Sequence, residues 1–302
     1  MLNKTRVITA ICMVLVLVPF MLLGGYFFYG LATILAFVGT YELTKMHNRK
    51  NNLPKKIDIL VSILSSLLVI IIMISDILMI GNGYNYILFA LLIVIVVLLI
   101  MSMLYAEIKV SDVFYYIGAI FYGGVSFAVI AALRNADITA TKSFHFFSLN
   151  INLSGLCLFG YVYLTTIFTD IGAYEIGCRI GKHKLIPSVS PNKSVEGAIG
   201  GSICGTIVGT VFLVLTQHFV GFNLFGIDGI FLNVVAVFFI SLALTIISQI
   251  GDLIASKLKR EYGIKDYGNI FPGHGGVMDR FDSVILTCAV FFIVLAMFGV
   301  VL

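Results

Sequence analysis

Long apolar runs separated by short polar segments dominate the chain. Hydropathy predicts nine membrane spans near residues 6–23, 26–44, 58–75, 84–104, 113–133, 153–174, 196–217, 230–251 and 282–301. All of them should be helices, because an open strand leaves backbone groups unsatisfied in lipid. The first run follows Lys4 and Arg6 as in a signal peptide, but no small-residue cleavage site follows it, so we expect an uncleaved span. The pattern predicts an all-α polytopic membrane protein.

The composition agrees with this fold class. Of the 302 residues, 60% are hydrophobic and 11% are charged, whereas soluble domains carry about 25% charged residues. The net charge of +4 comes from basic residues in short loops between spans, so we expect no nucleic acid as a partner. The five cysteines are scattered without a CxxC pair, which is typical of small membrane-embedded side chains.

The basic residues predict the orientation. With the N-terminus inside, all 19 Lys and Arg residues except Arg134 and Lys142 fall on the inside. We therefore expect a cytoplasmic N-terminus, a C-terminus outside, and a location in the inner (cell) membrane. The most basic run, 45–56, is interpreted as a positive-inside anchor, with attraction of anionic lipid or nucleotide as the alternative.

Polarity divides the chain into two regions. Residues 1–150 hold about five predicted spans without an ionisable residue well inside an apolar run, so we interpret them as a transmembrane scaffold. Residues 151–302 hold about four spans and the predicted cytoplasmic loops 175–196 and 253–281. Since most acidic residues from Asp170 onward fall at cytoplasmic span ends or loops, we expect this region to be catalytic.

Carboxylates from three predicted helices reach one depth of the membrane. Asp170 lies near the cytoplasmic end of the sixth span, Asp252 at the same end of the eighth, and Asp279 and Asp282 at the start of the ninth. Oxygen ligands suit Mg²⁺, a hard cation that keeps several waters. The alternative is that these aspartates form interfacial salt bridges with Lys259, Arg260 and Arg280.

Polar side chains accompany these aspartates on the same helices. Ser256 and Lys259 follow Asp252 at positions i+4 and i+7, so the three share a face if the eighth helix continues beyond the lipid. The turn PGHGG at 272–276 precedes the ninth helix, where glycine amides and the helix dipole can bind an anion, although such a turn is often only a turn. His274 could bind phosphate, shuttle a proton, or do neither.

A second polar segment covers residues 169–201. Lys182, Lys184 and Lys193 offer ammonium groups to phosphates, and Ser190 and Ser194 offer hydroxyls. Ser194 is also a candidate N-cap of the seventh helix, which would place Glu196 in its first turn. Basic residues, carboxylates and glycine turns at a membrane surface together predict a site for a polyphosphate, Mg²⁺ and a lipid.

The segment 256–282 resembles, in order and spacing, the signature of the CDP-diacylglycerol synthase (phosphatidate cytidylyltransferase) family. The matching positions are Ser256, Lys259-Arg260, Lys265-Asp266, Gly268, Pro272, His274-Gly275-Gly276 and Asp279-Arg280-Phe281-Asp282. The upstream DIGAY and SPNKSVEG resemble a second motif of that family, so the resemblance extends from about 169 to 283. The departures are Asn192, Ser194 and Val195, where Lys, Thr and Trp are common, and Glu175, where an aromatic is usual.

The resemblance implies Mg²⁺-dependent transfer of CMP from CTP to phosphatidate at the cytoplasmic face. The products are CDP-diacylglycerol and pyrophosphate, in phospholipid biosynthesis. The expected partners are CTP, phosphatidate and the lipid bilayer, with a homodimer left open. The implied catalytic residues are Asp252, Asp279, Asp282, Lys259, Arg260 and Arg280. The implied substrate-binding residues are Asp170, Ser190, Lys193, Ser256, Lys265, Asp266, His274, Gly275 and Gly276.

Within this set the three catalytic aspartates are expected to hold one or two cations. Lys259, Arg260 and Lys265 would neutralise the triphosphate, and Arg280 would hold the lipid phosphate by a bidentate contact. Two alternatives stay open. One is a cytidylyltransferase that acts on another phospholipid or polyprenyl acceptor, and the other is a secondary transporter, which would show broken helices at the bilayer midplane.

Two substitutions distinguish a ligand of the cation from a residue of the positive-inside anchor. Asp279→Asn is expected to abolish turnover with little change in protein level or stability in detergent, because it removes a metal-binding charge. Lys45→Gln in the basic run should change turnover far less. Turnover of the purified variants checks both, and wild-type activity in Asp279→Asn would reject the metal assignment.

Overall fold

The computed structural model describes residues 4–77, 83–136, 143–146, 149–221, 224–225 and 229–298. The helices among these residues are α1 (Lys4–Leu23), α2 (Gly25–Asn51), α3 (Lys55–Ile77), α4 (Gly83–Leu104), α5 (Val110–Ile120), α6 (Ser126–Asn135), α7 (Leu153–Ile180), α8 (Val195–Val220), α9 (Ile230–Glu261) and α10 (Met278–Met297). A π-helical turn, Phe121–Val125, joins α5 to α6. Each predicted span therefore corresponds to a helix or, for the fifth, to α5 and α6 in continuation.

In the part of the chain that the structure describes, two short antiparallel hairpins interrupt the helices. Strand β1 (Ser143–Phe146) pairs with β2 (Leu149–Asn152), and β3 (Lys184–Ile186) pairs with β4 (Ser190–Ser194). Both hairpins lie in segments that the hydropathy pattern leaves between spans. The polar segment at 175–196 is thus an ordered helix end and hairpin rather than an irregular loop.

Among the described residues, seven helical segments are long and apolar enough to cross a membrane. They are Gly25–Asn51, Lys55–Ser75, Val110–Asn135, Leu153–Ile180, Val195–Val220, Ile230–Glu261 and Met278–Met297. The apolar parts of α1 and α4, Val7–Leu23 and Leu88–Leu104, are shorter. The protein is a helical polytopic membrane protein, while the count of nine spans and the orientation stay predictions. Lys142 and residues 299–301 of the last predicted span lie outside the described residues.

Helices α2, α7 and α9 extend well beyond the C-terminal ends of their predicted apolar runs. Helix α2 continues to Asn51, so most of the basic run 45–56 is helical, and α7 continues to Ile180. Helix α9 continues to Glu261 because Ala, Leu, Lys, Arg and Glu are good helix formers. Asp252, Ser256 and Lys259 therefore lie on one helix, as their spacing predicts.

The chain forms two compact units, which do not coincide with the predicted regions 1–150 and 151–302. The first unit comprises Met1–Phe20, Gly25–Ala132 and Ile264–Arg280, and the second comprises Met21–Gly24, Leu133–Gly263 and Phe281–Leu302. The loop between α9 and α10 therefore belongs with the N-terminal helices. The labels of scaffold and catalytic region concern function, which this division does not address.

In the first unit, apolar side chains of α3, α4 and α5 form a buried cluster around Val61, Leu68, Leu98 and Tyr116. The π-helical turn packs beside α2 and α3, where the Thr40 and Ser65 hydroxyls are 2.7 Å apart. A Cβ atom at Gly123 would lie 2.7 Å from the Thr40 Oγ1 atom, so a glycine permits this close approach.

In the second unit, α8 packs closely against α7 through glycines at every fourth position. These are Gly197, Gly201, Gly205 and Gly209. A Cβ atom at Gly201 would lie 2.5 Å from the Thr169 carbonyl oxygen, and one at Gly197 would lie 2.7 Å from the Ala173 oxygen. Small residues at this spacing let membrane helices approach closely. This spacing is a sequence signal that the hydropathy pattern alone does not use.

A buried arginine ends the first helix. Arg134 is 1% exposed, and its Nε and Nη2 atoms donate to the carbonyls of Met21 and Leu22 at 2.5 and 2.9 Å. A cation at a helix C-terminus is favoured by the helix dipole and the unpaired carbonyls. Arg134, which the sequence predicts in an outside loop, is therefore a buried structural residue at the end of α6.

The close α7–α8 contact can be tested with two alanine substitutions. Gly201→Ala should lower stability by about 1–3 kcal/mol, because the added methyl group overlaps backbone atoms of α7. Gly118→Ala is the matched control, since a Cβ atom there meets nothing within 4 Å, and alanine favours the helix by about 1 kcal/mol. Thermal unfolding in detergent measures both, and equal midpoints for the two variants would contradict the packing account.

Candidate active site

A cavity of about 490 Å³ lies in the loop that precedes α10. Its lining residues are Lys265, Asp266, Asn269, Phe271, Pro272, Gly273, His274, Gly275 and Arg280. The structure thus brings together five residues that the sequence predicts for the site, on both sides of the PGHGG turn. Four more, Asn269 and Phe271–Gly273, complete the lining. The volume lies within the range of about 300–1,000 Å³ that small-molecule sites occupy.

The cavity combines charges of both signs. Lys265, Asp266 and Arg280 line it beside the half-buried His274, whose Nδ1 atom makes no hydrogen bond. The turn itself is closed by hydrogen bonds from the Phe271 amide to the Gly275 oxygen, 2.9 Å, and from the His274 amide to the Phe271 oxygen, 2.8 Å. The two basic groups and the imidazole are suited to an anionic ligand.

Asp279 ties the two ends of this loop together. Its Oδ2 atom accepts hydrogen bonds from the amides of Tyr267 at 2.8 Å and Gly276 at 2.9 Å. The side chain is buried, and Gly275 next to it has a φ of +84°, which favours glycine. Asp279 therefore has a structural contact in addition to the metal-binding role predicted from the sequence.

A carboxylate from a distant helix holds the same loop. The Glu42 Oε1 atom accepts from the Val277 amide at 3.0 Å, and Oε2 accepts from the Met278 amide at 2.9 Å. Glu42 is 3% exposed and lies on α2. On α1, the Thr9 hydroxyl donates to the Pro272 carbonyl at 3.1 Å. The N-terminal helices therefore contact the cavity loop directly.

These contacts change one interpretation made from the sequence. The amides of Gly276, Val277 and Met278 at the start of α10 donate to Asp279 and Glu42. Carboxylates of the protein itself thus occupy the helix N-terminus that the sequence suggested for a substrate anion. Ligand phosphates in the cavity would be held by side chains instead.

Glu42 is the site residue that the sequence analysis missed. The prediction treated spans one to five as scaffold, and Glu42 lies near the end of the second of them. Since a carboxylate in a membrane helix is costly unless it is paired, its presence in an apolar run is itself a functional signal. The scaffold interpretation of the N-terminal spans stays a prediction, and Glu42 adds to it a contact between α2 and the cavity loop.

The second unit brings together three predicted site residues. The Lys193 Nζ atom forms an ion pair with the Asp252 Oδ2 atom, and the Ser256 hydroxyl donates to Asp252 Oδ1 at 3.2 Å. Lys193 and Asp252 are each 28% exposed. Lys193 ends up here because β4 leads from the hairpin into α8, beside α9. Asp252 therefore forms a salt bridge, but its partner is Lys193 and not one of the three basic residues that the sequence suggested.

Helices α9 and α10 meet next to Asp252. A Cβ atom at Gly251 would lie 2.9 Å from the Asp282 carbonyl oxygen and 3.3 Å from the Ser283 Cα atom. The Asp282 side chain accepts the Ser283 amide at 2.8 Å. The backbones of two predicted metal-binding residues, Asp252 and Asp282, therefore lie side by side, as the common depth of their helices suggests.

The hairpin that carries Lys193 is fixed at the start of α8. The Ser194 hydroxyl accepts the Gly197 amide at 3.2 Å, which confirms Ser194 as the N-cap. Glu196 lies in the first turn and accepts the Lys182 amide at 3.0 Å, while its Oε1 atom lies 2.6 Å from His183 Nδ1. Ser190 begins β4, four residues before this cap.

The remaining predicted residues lie on helix surfaces. Asp170 is exposed on α7, and Lys259 and the exposed Arg260 lie in the last turn of α9. Among the described residues, no group of three or more His, Cys, Asp and Glu side chains lies close enough to share a metal ion. The roles assigned to these residues and to the aspartates stay predictions.

The contacts of Asp279 revise one expectation for Asp279→Asn. An aspartate-to-asparagine change removes the charge from two buried hydrogen bonds, and bonds to charged groups contribute about 1.5–3 kcal/mol each. The variant should therefore lose stability as well as turnover. Unchanged stability in detergent is no longer the expected result.

Comparison with known proteins extends the match far beyond this loop. Residues 4–298 match the cytidylyltransferase family. The phosphatidate cytidylyltransferases of Staphylococcus haemolyticus and Staphylococcus saprophyticus are 34% and 33% identical over 282 residues, 93% of this chain and 94% of each relative. That of Bacillus subtilis is 35% identical over 176 residues, 58% of this chain and 61% of the relative.

Fold and site together define a helical membrane protein with a charged cavity built by the loop before its last helix. The chain belongs to the cytidylyltransferase family and is a nucleotidyltransferase. The family predicted from residues 256–282 is confirmed. Membership of an enzyme family leaves the transporter alternative without support.

Proposed function

We propose that the protein transfers CMP from CTP to phosphatidate and releases pyrophosphate, giving CDP-diacylglycerol for phospholipid biosynthesis. The observation that carries this proposal is the cavity lined by Lys265, His274 and Arg280. It lies in a chain whose relatives over nine-tenths of its length are named phosphatidate cytidylyltransferase. Lys265 and Arg280 offer a triphosphate and a lipid phosphate the cationic partners that both need.

The reaction joins two phosphates and needs little covalent work by the protein. An ionised oxygen of the phosphatidate phosphate attacks the α-phosphorus of CTP and forms a new P–O bond. The bond from that phosphorus to the bridging oxygen breaks, and pyrophosphate leaves with the electron pair. Because the attacking oxygen is already ionised at neutral pH, no strong general base is required, and positioning and charge neutralisation supply most of the catalysis.

Four basic side chains of the loop and its flanking helices, together with His274, have roles in this proposal. Lys265, with Lys259 and Arg260 from the end of α9, would neutralise the triphosphate. Arg280 would hold the phosphatidate phosphate through its planar guanidinium group. His274 has a free ring nitrogen, which would donate to a phosphate oxygen.

The aspartates suit a magnesium ion. Asp252 and Asp282 come from helices whose backbones meet at Gly251, and Asp279 lies one helical turn before Asp282. Mg²⁺ is commonly held by one or two carboxylates with waters and substrate phosphates, so Asp252 and Asp282 alone would be a sufficient pair of protein ligands for it. Bound there, one or two cations would offset the charge that builds up on the transferred phosphoryl group.

Lys193 serves the same charge balance before substrate arrives. Its ammonium group neutralises the partly buried Asp252 carboxylate, which is costly to leave unpaired. With a divalent cation on Asp252, Lys193 would be available to a nucleotide phosphate. Ser190, Ser256 and Asp170 would complete the nucleotide side of the site.

The location follows from the chain's pattern. We infer an integral protein of the cell membrane with nine spans, a cytoplasmic N-terminus and the active site on the cytoplasmic face. The asymmetry of the basic residues supports this orientation. The region from residue 151 supplies most catalytic groups in this proposal, and Glu42 extends the site into the N-terminal helices.

A pyrophosphate-release assay tests the proposed reaction. The purified protein with CTP and phosphatidate should release pyrophosphate and form CDP-diacylglycerol, and chelation of divalent cations should stop both, with recovery on adding Mg²⁺. The measurement couples pyrophosphate to a chromogenic reporter and follows the lipid product by thin-layer chromatography of labelled CTP.

The controls decide between acceptors. Diacylglycerol in place of phosphatidate should give no product, because it lacks the attacking phosphate. A polyprenyl phosphate or another lipid phosphate that reacts while phosphatidate does not would reject the acceptor. Pyrophosphate release that continues undiminished with a chelator would reject the metal dependence.

A further inference from the structure

We propose that Glu42 is a positioning residue, which orders the cavity loop from α2 and so sets the affinity of the cavity for the nucleotide triphosphate. The effect on loop order stands by itself. The effect on nucleotide affinity rests on the proposed function.

Glu42 contacts the start of α10 with both of its carboxylate oxygens. Glu42 uses both carboxylate oxygens on consecutive amides, those of Val277 and Met278, at 3.0 and 2.9 Å. These amides belong to the residue before α10 and to its first residue. The two hydrogen bonds fix where the helix begins, and with it the direction in which Arg280 leaves the first turn.

The negative charge of Glu42 is buried and needs compensation. Glu42 is 3% exposed in a largely apolar helix, and an unpaired carboxylate there would be strongly unfavourable. Two amide donors and the positive end of the α10 dipole compensate it. An uncharged side chain of the same size would keep neither the charge attraction nor both acceptors, because the amide nitrogen of glutamine is a donor.

Two glycines of the loop leave space for the Glu42 carboxylate. Cβ atoms at Gly268 and Gly276 would overlap the Glu42 carboxylate group. Neither glycine has a positive φ, so backbone conformation does not require glycine there. The space for the Glu42 side chain does require it, which shows that the loop is built around this carboxylate.

The amides that Glu42 and Asp279 hold lie directly beside the cavity-lining residues. Glu42 and Asp279 together accept the amides of Tyr267, Gly276, Val277 and Met278. These residues flank the cavity-lining segment 269–275, and Lys265 and Arg280 lie just beyond them. Loss of the Glu42 contact would therefore loosen the separation between Lys265 and Arg280 without removing either charge.

The first experiment measures loop order without substrate. Hydrogen–deuterium exchange of peptides covering 266–280 should become about tenfold faster in Glu42→Gln than in the wild type. Asp58→Asn is the matched control, because Asp58 is a buried carboxylate of the same unit whose side chain accepts from Asn48 Nδ2 at 2.5 Å. Its exchange in 266–280 should stay at the wild-type rate. Unchanged exchange in Glu42→Gln would overturn the proposal.

The second experiment separates positioning from general damage to the fold. Per folded molecule, Glu42→Gln should raise KM for CTP about tenfold with a smaller change in kcat, and Asp58→Asn should leave KM unchanged. A KM for CTP that stays at the wild-type value in Glu42→Gln would overturn the effect on affinity. A wild type that does not turn over CTP would reject the proposed function, whereas the exchange result would still decide the role of Glu42 in the loop.

A second substitution keeps the test valid if Glu42→Gln does not fold. Gly268→Ala places a methyl group on the carboxylate and should reproduce the faster exchange and the higher KM. In the Glu42→Ala background the same methyl group meets no carboxylate, so the double variant should behave as Glu42→Ala alone. If the double variant instead changes the exchange rate and KM by the product of the two single effects, Gly268 and Glu42 act independently. That result would overturn the proposed direct contact.

Discussion

The pairing of buried carboxylates with backbone amides is the interaction on which the site depends. Sixteen residues separate α9 from α10, and a polar loop of that length has no apolar core of its own. Asp279 and Glu42 supply the missing constraint by accepting four amides from the two flanks of the loop. Because other groups hold the backbone of the loop, the side chains that line the cavity are not needed for that purpose.

The same principle governs ionisable groups elsewhere in the protein. Arg134 binds the carbonyls that end α1, and His47 lies 2.8 Å from Asp112 beside the stacked ring of Tyr115. Asp252 has Lys193 and Ser256 as partners. In a chain with 11% charged residues, each of these charges is compensated locally, because lipid and packed helices offer no water to do so. The Lys193–Asp252 pair differs from the others in being partly exposed, which suits the change of partners that the proposed function assigns to it.

Much of this could be predicted from the sequence, and the omissions have physical reasons. Hydropathy located the helices because lipid requires long apolar segments, and the spacing of Asp252, Ser256 and Lys259 located a helix face because α9 continues past its apolar run. The motif residues Lys265, His274 and Arg280 do share a cavity. Glu42 was not predicted because its partners are backbone amides more than 200 residues away, and amides leave no pattern in the side chains. Hydropathy treats the glycines of α8 only as part of an apolar run, because it does not record how closely two helices approach.

In the proposed function, the loop before α10 binds the nucleotide triphosphate. Equilibrium binding of CTP to the detergent-solubilised protein, measured by titration calorimetry, tests it most directly. The double variant Lys265→Ala/Arg280→Ala should bind CTP at least about tenfold more weakly than the wild type. The variant Lys55→Ala/Lys56→Ala, which loses the same charge at the start of α3, should bind as the wild type does. Equal affinities for the two double variants would contradict the account.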